Sequence, residues 1–194
     1  MKWKNILLVL ALWVVAGACE KKEIPMFTTD DAGIYFQRVT SYIYGSTTEN
    51  YGDSVAYSFV SAQATAKSVV LSATVRTMGK VADYDRPFKV VVDQEGTTAI
   101  EGKHYEVNLD TVVVPAGAST AYVRVRFFRT SDMMEKAIRL ALRLEENEYF
   151  KCYFPEYKNT NAYSATGALI HGDVFAFSLS EMYTEPSYWN WFGG

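Results

Sequence analysis

The 194-residue chain holds only two cysteines, Cys19 and Cys152, and two histidines, His104 and His171. So few cysteines exclude a disulfide-stapled scaffold, and no Cys-x-x-Cys, His-x-His or HExxH spacing supplies a zinc ligand set. No Gly-x-Ser-x-Gly elbow and no phosphate-cradling glycine loop is present, so the common hydrolase and nucleotide signatures are missing. Neither sign of charge dominates. The 19 basic side chains meet 22 acidic ones for a net charge of −3, without the cationic excess that a nucleic-acid partner demands. No apolar run approaches the ~20 residues of a membrane-spanning helix. No metal and no cofactor are expected from this residue set. Apolar and aromatic side chains are plentiful instead: 49% of residues are hydrophobic, and 14 Tyr and 11 Phe raise the aromatic share to 15%, as in β-rich proteins.

The N-terminus carries the most specific pattern. Lys2 and Lys4 precede an uninterrupted apolar run from Ile6 to Ala16, and Ala16-Gly17-Ala18-Cys19 follows. A charged n-region, a short apolar h-region and small residues before the break describe a secretory leader. The small residues let a peptidase grip extended backbone, and the Cys19 thiol is the nucleophile for a diacylglyceryl group. The pattern resembles a bacterial lipobox, with Ala16 where Leu is commoner. Residues 1–18 are therefore expected to be a cleaved signal peptide, 19–30 a lipidated tether and 31–194 one β-sandwich domain. Losing Lys2 and Lys4 leaves 17 basic against 22 acidic side chains, a net charge of −5. Acyl chains contribute about 0.8 kcal/mol per buried methylene, so several on Cys19 make a stable membrane anchor. Charged residues after Cys19 (Glu20, Lys21, Lys22, Glu23) resemble signals for the outer cell surface, and equally suit any solvated tether. Cys152 is then alone, and its apolar neighbours Phe150 and Phe154 suggest a packing residue.

Period-two alternation runs through the mature region, and no long stretch holds a 3.6-residue period. Ala121 to Phe128 sets Val123, Val125 and Phe127 on one face against Tyr122, Arg124 and Arg126 on the other. Ala137 to Glu145 sets Ile138, Leu140, Leu142 and Leu144 against Arg139 and Arg143. Such strands bury one face and wet the other. Further strands are expected over 68–77, 87–93, 33–39, 54–60, 163–170 and 173–179, with two short ones within 105–114. Turns at Gly45–Asn50, Met78-Gly79, Gln94–Gly96 and Pro115–Gly117 separate them, and Met133–Lys136 has room for one helical turn. The fold class is all-β, an antiparallel sandwich.

The segment Gly102-x-His104-Tyr105, with Val113-Val114-Pro115-Ala116-Gly117 after it, resembles the Calx-beta type of immunoglobulin-like domain. Stretches from Asp31–Phe36 through Asp83–Phe88 to Tyr188-Trp189 resemble a Bacteroidetes lipoprotein family of unknown function. That family continues beyond the Trp-rich segment, so a C-terminal truncation at Gly194 is expected. The Calx-beta resemblance implies clustered carboxylates for calcium at one end of the sandwich. Here His104 stands where the motif has Asp, and the acidic turn Thr130-Ser131-Asp132 has one carboxylate. Glu101, Asp132 and Glu135 are too few for a site.

Several constellations have two readings. Ile170-His171-Gly172-Asp173 reads as a base with its orienting carboxylate, or as a strand-to-strand turn. Glu145, Glu146 and Glu148 read as a glycosidase pair, or as solvated strand-end carboxylates. Arg86, in Asp83–Phe88, reads as a ligand contact on a loop, or as an edge residue paired to a carboxylate before Pro87 starts a strand. Arg124 and Arg126 with Arg139 and Arg143 read as a basic stripe for an acidic glycan or protein, or as ordinary wet-face charges. Tyr188, Trp189 and Trp191 read as a sugar-stacking platform, or as core.

The resulting expectation is a non-catalytic, lipid-anchored binding or assembly module. It sits in the bacterial outer membrane, periplasmic or surface-facing, held to the membrane by its lipid. Its partner is a carbohydrate or an envelope protein, because the resembled group implies a link to glycan capture. The alternatives are an envelope glycan hydrolase, which requires converging carboxylates in a pocket, and an adhesin-type structural subunit, which requires an open strand edge or donor-strand groove.

Overall fold

The computed structural model describes residues 32–42, 49–158 and 169–183. Its strands in chain order are β1 (Ala32–Phe36), β2 (Val39–Tyr42), β3 (Glu49–Gly52), β4 (Ser54–Ser58), β5 (Ser68–Met78), β6 (Arg86–Pro87), β7 (Lys89–Val92), β8 (Tyr105–Val107), β9 (Val113–Val114), β10 (Thr120–Phe128), β11 (Ile138–Glu145), β12 (Phe150–Lys151), β13 (Tyr157–Lys158), β14 (Leu169–Ile170) and β15 (Val174–Ser180). Two short 3-10 turns, Phe59–Ser61 and Ser131–Met134, are the helical segments among the described residues. No helix among them is long and apolar enough to cross a membrane.

Five strands form one sheet in the order β12-β1-β5-β10-β8, and four form another in the order β4-β15-β11-β7. Alternation dictates which side of each is buried. Ala121, Val123, Val125 and Phe127 of β10 are buried while Tyr122, Arg124 and Arg126 are exposed. On β11, Ile138, Leu140, Leu142 and Leu144 are buried. These two sets belong to one apolar cluster, joined by Phe175, Phe177 and Leu179 of β15. Ring pairs cross between the sheets: Phe127 lies 5.2 Å from Phe177, and Phe36 lies 5.7 Å from Phe175. The all-β sandwich expected from the alternation is thus the architecture observed. Each fully buried Phe or Leu contributes about 1.5–3 kcal/mol of transfer free energy, so this seam is the main source of stability.

The pairing is not purely antiparallel. β1 pairs with β12 in parallel, and β4 pairs with β15 in parallel along five residue pairs from Ser54↔Ala176 to Ser58↔Ser180. Parallel neighbours need long connections, and here most of the domain lies between β4 and β15. Several expected strands are also divided. The stretch 54–60 stops at Ser58, whose hydroxyl accepts from the Val60 N–H at 3.3 Å and turns the chain so that Phe59 enters the core. The stretch 87–93 divides at the buried Phe88. Its first part pairs with β9, and β7 joins the four-stranded sheet. The stretch 33–39 breaks at Gln37-Arg38, and of 163–170 only β14 lies among the described residues. The helical turn begins at Ser131, two residues earlier than expected.

Candidate functional site

Of the residues singled out from sequence, Cys19, Tyr188, Trp189 and Trp191 lie outside the described residues. Arg86 is described, and it is inside: the residue is 5% exposed, with its guanidinium 4.8 Å from the Phe150 ring centroid and no hydrogen-bond partner for Nε. Among the described residues it forms no ion pair with a carboxylate. The neighbouring Asp85 instead accepts from the Ala116 N–H at 2.8 Å, while Gly117 N–H donates to the Ala82 carbonyl. These bonds fasten the Asp83–Phe88 loop to the Pro115–Gly117 turn, where Gly117 takes φ +73°, a conformation glycine adopts without a Cβ penalty.

His104 and Asp132, brought into comparison by the Calx-beta resemblance, meet in the fold. His104 is 2% exposed; its Nδ1 accepts from the Ile100 N–H at 2.8 Å and its Nε2 donates to Asp132 Oδ2 at 3.0 Å. Lys103 Nζ donates to the same oxygen at 2.6 Å. Hydrogen bonds from Lys103 above all, and from His104, hold the Asp132 carboxyl far below its ordinary range. With both imidazole nitrogens engaged, His104 has none to offer as a general base. The cluster ties the segment before β8 to the Ser131–Met134 turn. No group of three or more His, Cys, Asp or Glu able to hold a metal ion exists among the described residues.

Several other titratable groups are engaged within the fold. The His171 ring makes its contact with the Pro155 carbonyl at 3.1 Å, and Asp173 faces Arg143, so these two do not form a base and its orienter. Glu145 pairs with Lys89 at 2.5 Å, and Glu146 reaches Lys151 and the Cys152 N–H. Arg129 makes a two-pronged pair with Glu181, which is 6% exposed, and this hydrogen bonding keeps the Glu181 carboxyl low. Cys152 is half-buried against the core rather than fully enclosed. Burial first, then Asp173 and Glu146, push its thiol up to about 11, so it is protonated and unreactive at neutral pH.

The four-arginine stripe does not exist. β10 and β11 are consecutive long strands but belong to opposite sheets, and each turns its apolar side inward. Their arginines therefore point away from each other. On the four-stranded sheet Arg143 pairs with Asp93 at 2.9 Å and with Asp173 at 3.5 Å, and Arg139 donates to the Gly96 carbonyl.

The outside of the five-stranded sheet differs. Cross-strand register places Arg76 beside Thr120, Thr74 beside Tyr122, Ser72 beside Arg124, and Val70 beside Arg126, with Glu106 on the far flank of Arg126. Tyr122 is 52% exposed, and the Arg124 guanidinium lies 5.6 Å from its ring centroid. Arg76 hydrogen-bonds to Gln37 at 2.8 Å. Among the described residues no carboxylate comes within 4.0 Å of Arg76, Arg124 or Arg126. Beside Tyr122 and Arg124 the β8–β9 connection raises a wall, leaving a groove of about 470 Å³ that includes Asn108, Thr111, Pro115 and Thr120. At the β1 side of the sheet, an apolar hollow of about 370 Å³ is lined by Tyr35, Met78, Phe154 and Gly172. Sequence reasoning missed Arg76 as a member of this face. Its signal was the alternation in 68–77, but only the β5–β10 pairing shows what lies next to it.

No curated protein matches the sequence. A family model described as a domain of unknown function, DUF4843, matches residues 30–194, and the chain belongs to that family.

Proposed function

We propose that the chain is a non-catalytic binding module of the bacterial cell envelope, held to the outer membrane by lipid on Cys19. The observation that carries this reading is the contrast between the two sheet exteriors. On the four-stranded sheet Arg143 is paired with Asp93 and Asp173 and Arg139 is held by a backbone carbonyl, whereas the outside of β5 and β10 offers a ring and three arginines with no carboxylate within 4.0 Å among the described residues. A surface of that kind suits recognition better than chemistry, which needs a nucleophile or base free to act. The leader and Cys19 precede the sandwich by a short tether, so the domain would stand close to the bilayer.

The test is fractionation of cells producing the full chain or Cys19→Ser. The unaltered protein is expected in the membrane fraction with an acylated Cys19 in its N-terminal peptide, and the variant outside that fraction. Retention of Cys19→Ser on membranes, or an unmodified thiol in the native protein, would refute the anchor.

A further inference from the structure

We infer that the exterior of the five-stranded sheet binds an acidic polysaccharide, a chain of carboxylate-bearing sugars. Tyr122 supplies the stacking surface, and Arg76, Arg124 and Arg126 take the carboxylates. The inference rests on the reading of the chain as an envelope binding module and names the ligand class of that module.

Charge complementarity is the first argument. The chain is acidic overall, with a net charge of −3, yet three arginines share one sheet face on which Glu106 is the lone carboxylate among the described strand residues. Exposed cations often guard a sheet against edge pairing. That account does not cover Arg76 and Arg126, each of which has a paired strand on both sides. Elsewhere in the sandwich Arg143 and Arg129 are held by carboxylates, Asp93 and Glu181. Arginine's planar fork matches a carboxylate bidentately.

Shape is the second argument. From the Arg76–Thr120 pair to Arg126 the row covers six residue steps along β10, about 20 Å at ~3.3 Å per residue. That length fits a polymer rather than a single sugar. The half-exposed Tyr122 ring sits a third of the way along it, between Arg76 and Arg124, where the CH face of a pyranose can stack. The adjoining groove of about 470 Å³ falls within the ~300–1,000 Å³ of small-ligand sites. Asn108 lends its Oδ1 to the Asp110 N–H at 3.0 Å, which turns its amide group to donor duty for sugar hydroxyls. An acidic peptide would use the cations but has no requirement for the ring and its hydroxyl-lined surroundings.

The test measures binding of the full chain, purified in mild detergent, to polygalacturonate, to the same polymer methyl-esterified, and to polyglutamate. Polygalacturonate is expected to bind and to weaken with added salt, while the esterified polymer and polyglutamate bind far more weakly. Tyr122→Ala and Arg124→Gln should each weaken binding about tenfold or more, as central interface contacts do, with unchanged circular dichroism. Arg139→Gln, on the opposite sheet, should leave it intact. Equal binding of the esterified polymer overturns the acidic specificity. Polyglutamate binding that matches polygalacturonate and ignores Tyr122→Ala overturns the sugar. Absence of binding to any polymer, in protein still anchored through Cys19, removes the inference and leaves the envelope module standing.

Discussion

Phe127 and Phe177 offer the sharpest test of the sandwich, because one ring belongs to each sheet and both are fully buried. Their centroids are 5.2 Å apart at an interplanar angle of 56°, within the range where aromatic rings attract beyond simple burial. Replacing either with Leu keeps an apolar side chain but removes the ring contact and leaves a small void, for a loss of about 1–2 kcal/mol. Each single variant loses the shared contact in full, whereas the double variant loses it only once. The double variant should therefore cost less than the sum of the singles, by about 0.5–1.5 kcal/mol. Urea denaturation of all four proteins measures the cycle, since the midpoint multiplied by the slope gives each free energy. For a domain of this size each kcal/mol also lowers the melting temperature by about 2–4 °C. Additivity within ~0.3 kcal/mol would mean that the rings do not touch, and the packing of the two sheets would have to be redrawn.

Gly172→Ala would place a Cβ 2.6 Å from the Phe154 carbonyl oxygen, a backbone atom, whereas in Gly33→Ala the nearest atoms are Met78 Cε at 2.7 Å and a Tyr153 ring carbon. Because side chains give way and backbone does not, the first should cost about 1–3 kcal/mol and the second clearly less; equal melting temperatures would contradict these contacts. Asp132 binds its proton more weakly in the fold than at its ordinary value of 3.8, so its stabilisation is complete above that pH and lost as the pH falls below it. Asp132→Asn should flatten the fall in urea midpoint on acidification, and an acid limb identical to that of the unaltered protein would refute this. The Cys152 thiol, pushed up to about 11, should react with a thiol reagent at pH 8 much faster in urea than in the native protein; rapid native labelling would disprove its shelter.

How far the sequence could be read depended on distance along the chain. β10 and β11 were legible because alternation is local: every second residue from Ala121 to Phe127 and from Ile138 to Leu144 is buried. What escaped was partnership. Nothing local says that β4 lies along β15, or that Arg76 stands beside Thr120 while Arg139 turns to the opposite exterior. Ala141 shows the same limit. It occupies a wet-face position by alternation, yet it is fully buried because the loop after β7 folds over it and Thr97 accepts its N–H at 2.9 Å. The Ser58 turn escaped too, since one hydroxyl cap outweighed the strand tendency of Tyr57-Ser58-Phe59-Val60. Of the site, the exposure of Tyr122, Arg124 and Arg126 could be read directly. The inward position of Arg86 could not, because an arginine lying over Phe150 has no signature in its own neighbours.

The position of β15 has a consequence for how the molecule comes into being. This strand is the last described in the chain, and it sits between β4 and β11 as the sole sheet partner of β4 among the described strands. A growing chain that has emerged only as far as β14 still lacks Phe175, Phe177 and Leu179, three buried members of the core. Such late, long-range closure slows folding, and it holds the interior open until the last described strand is in place.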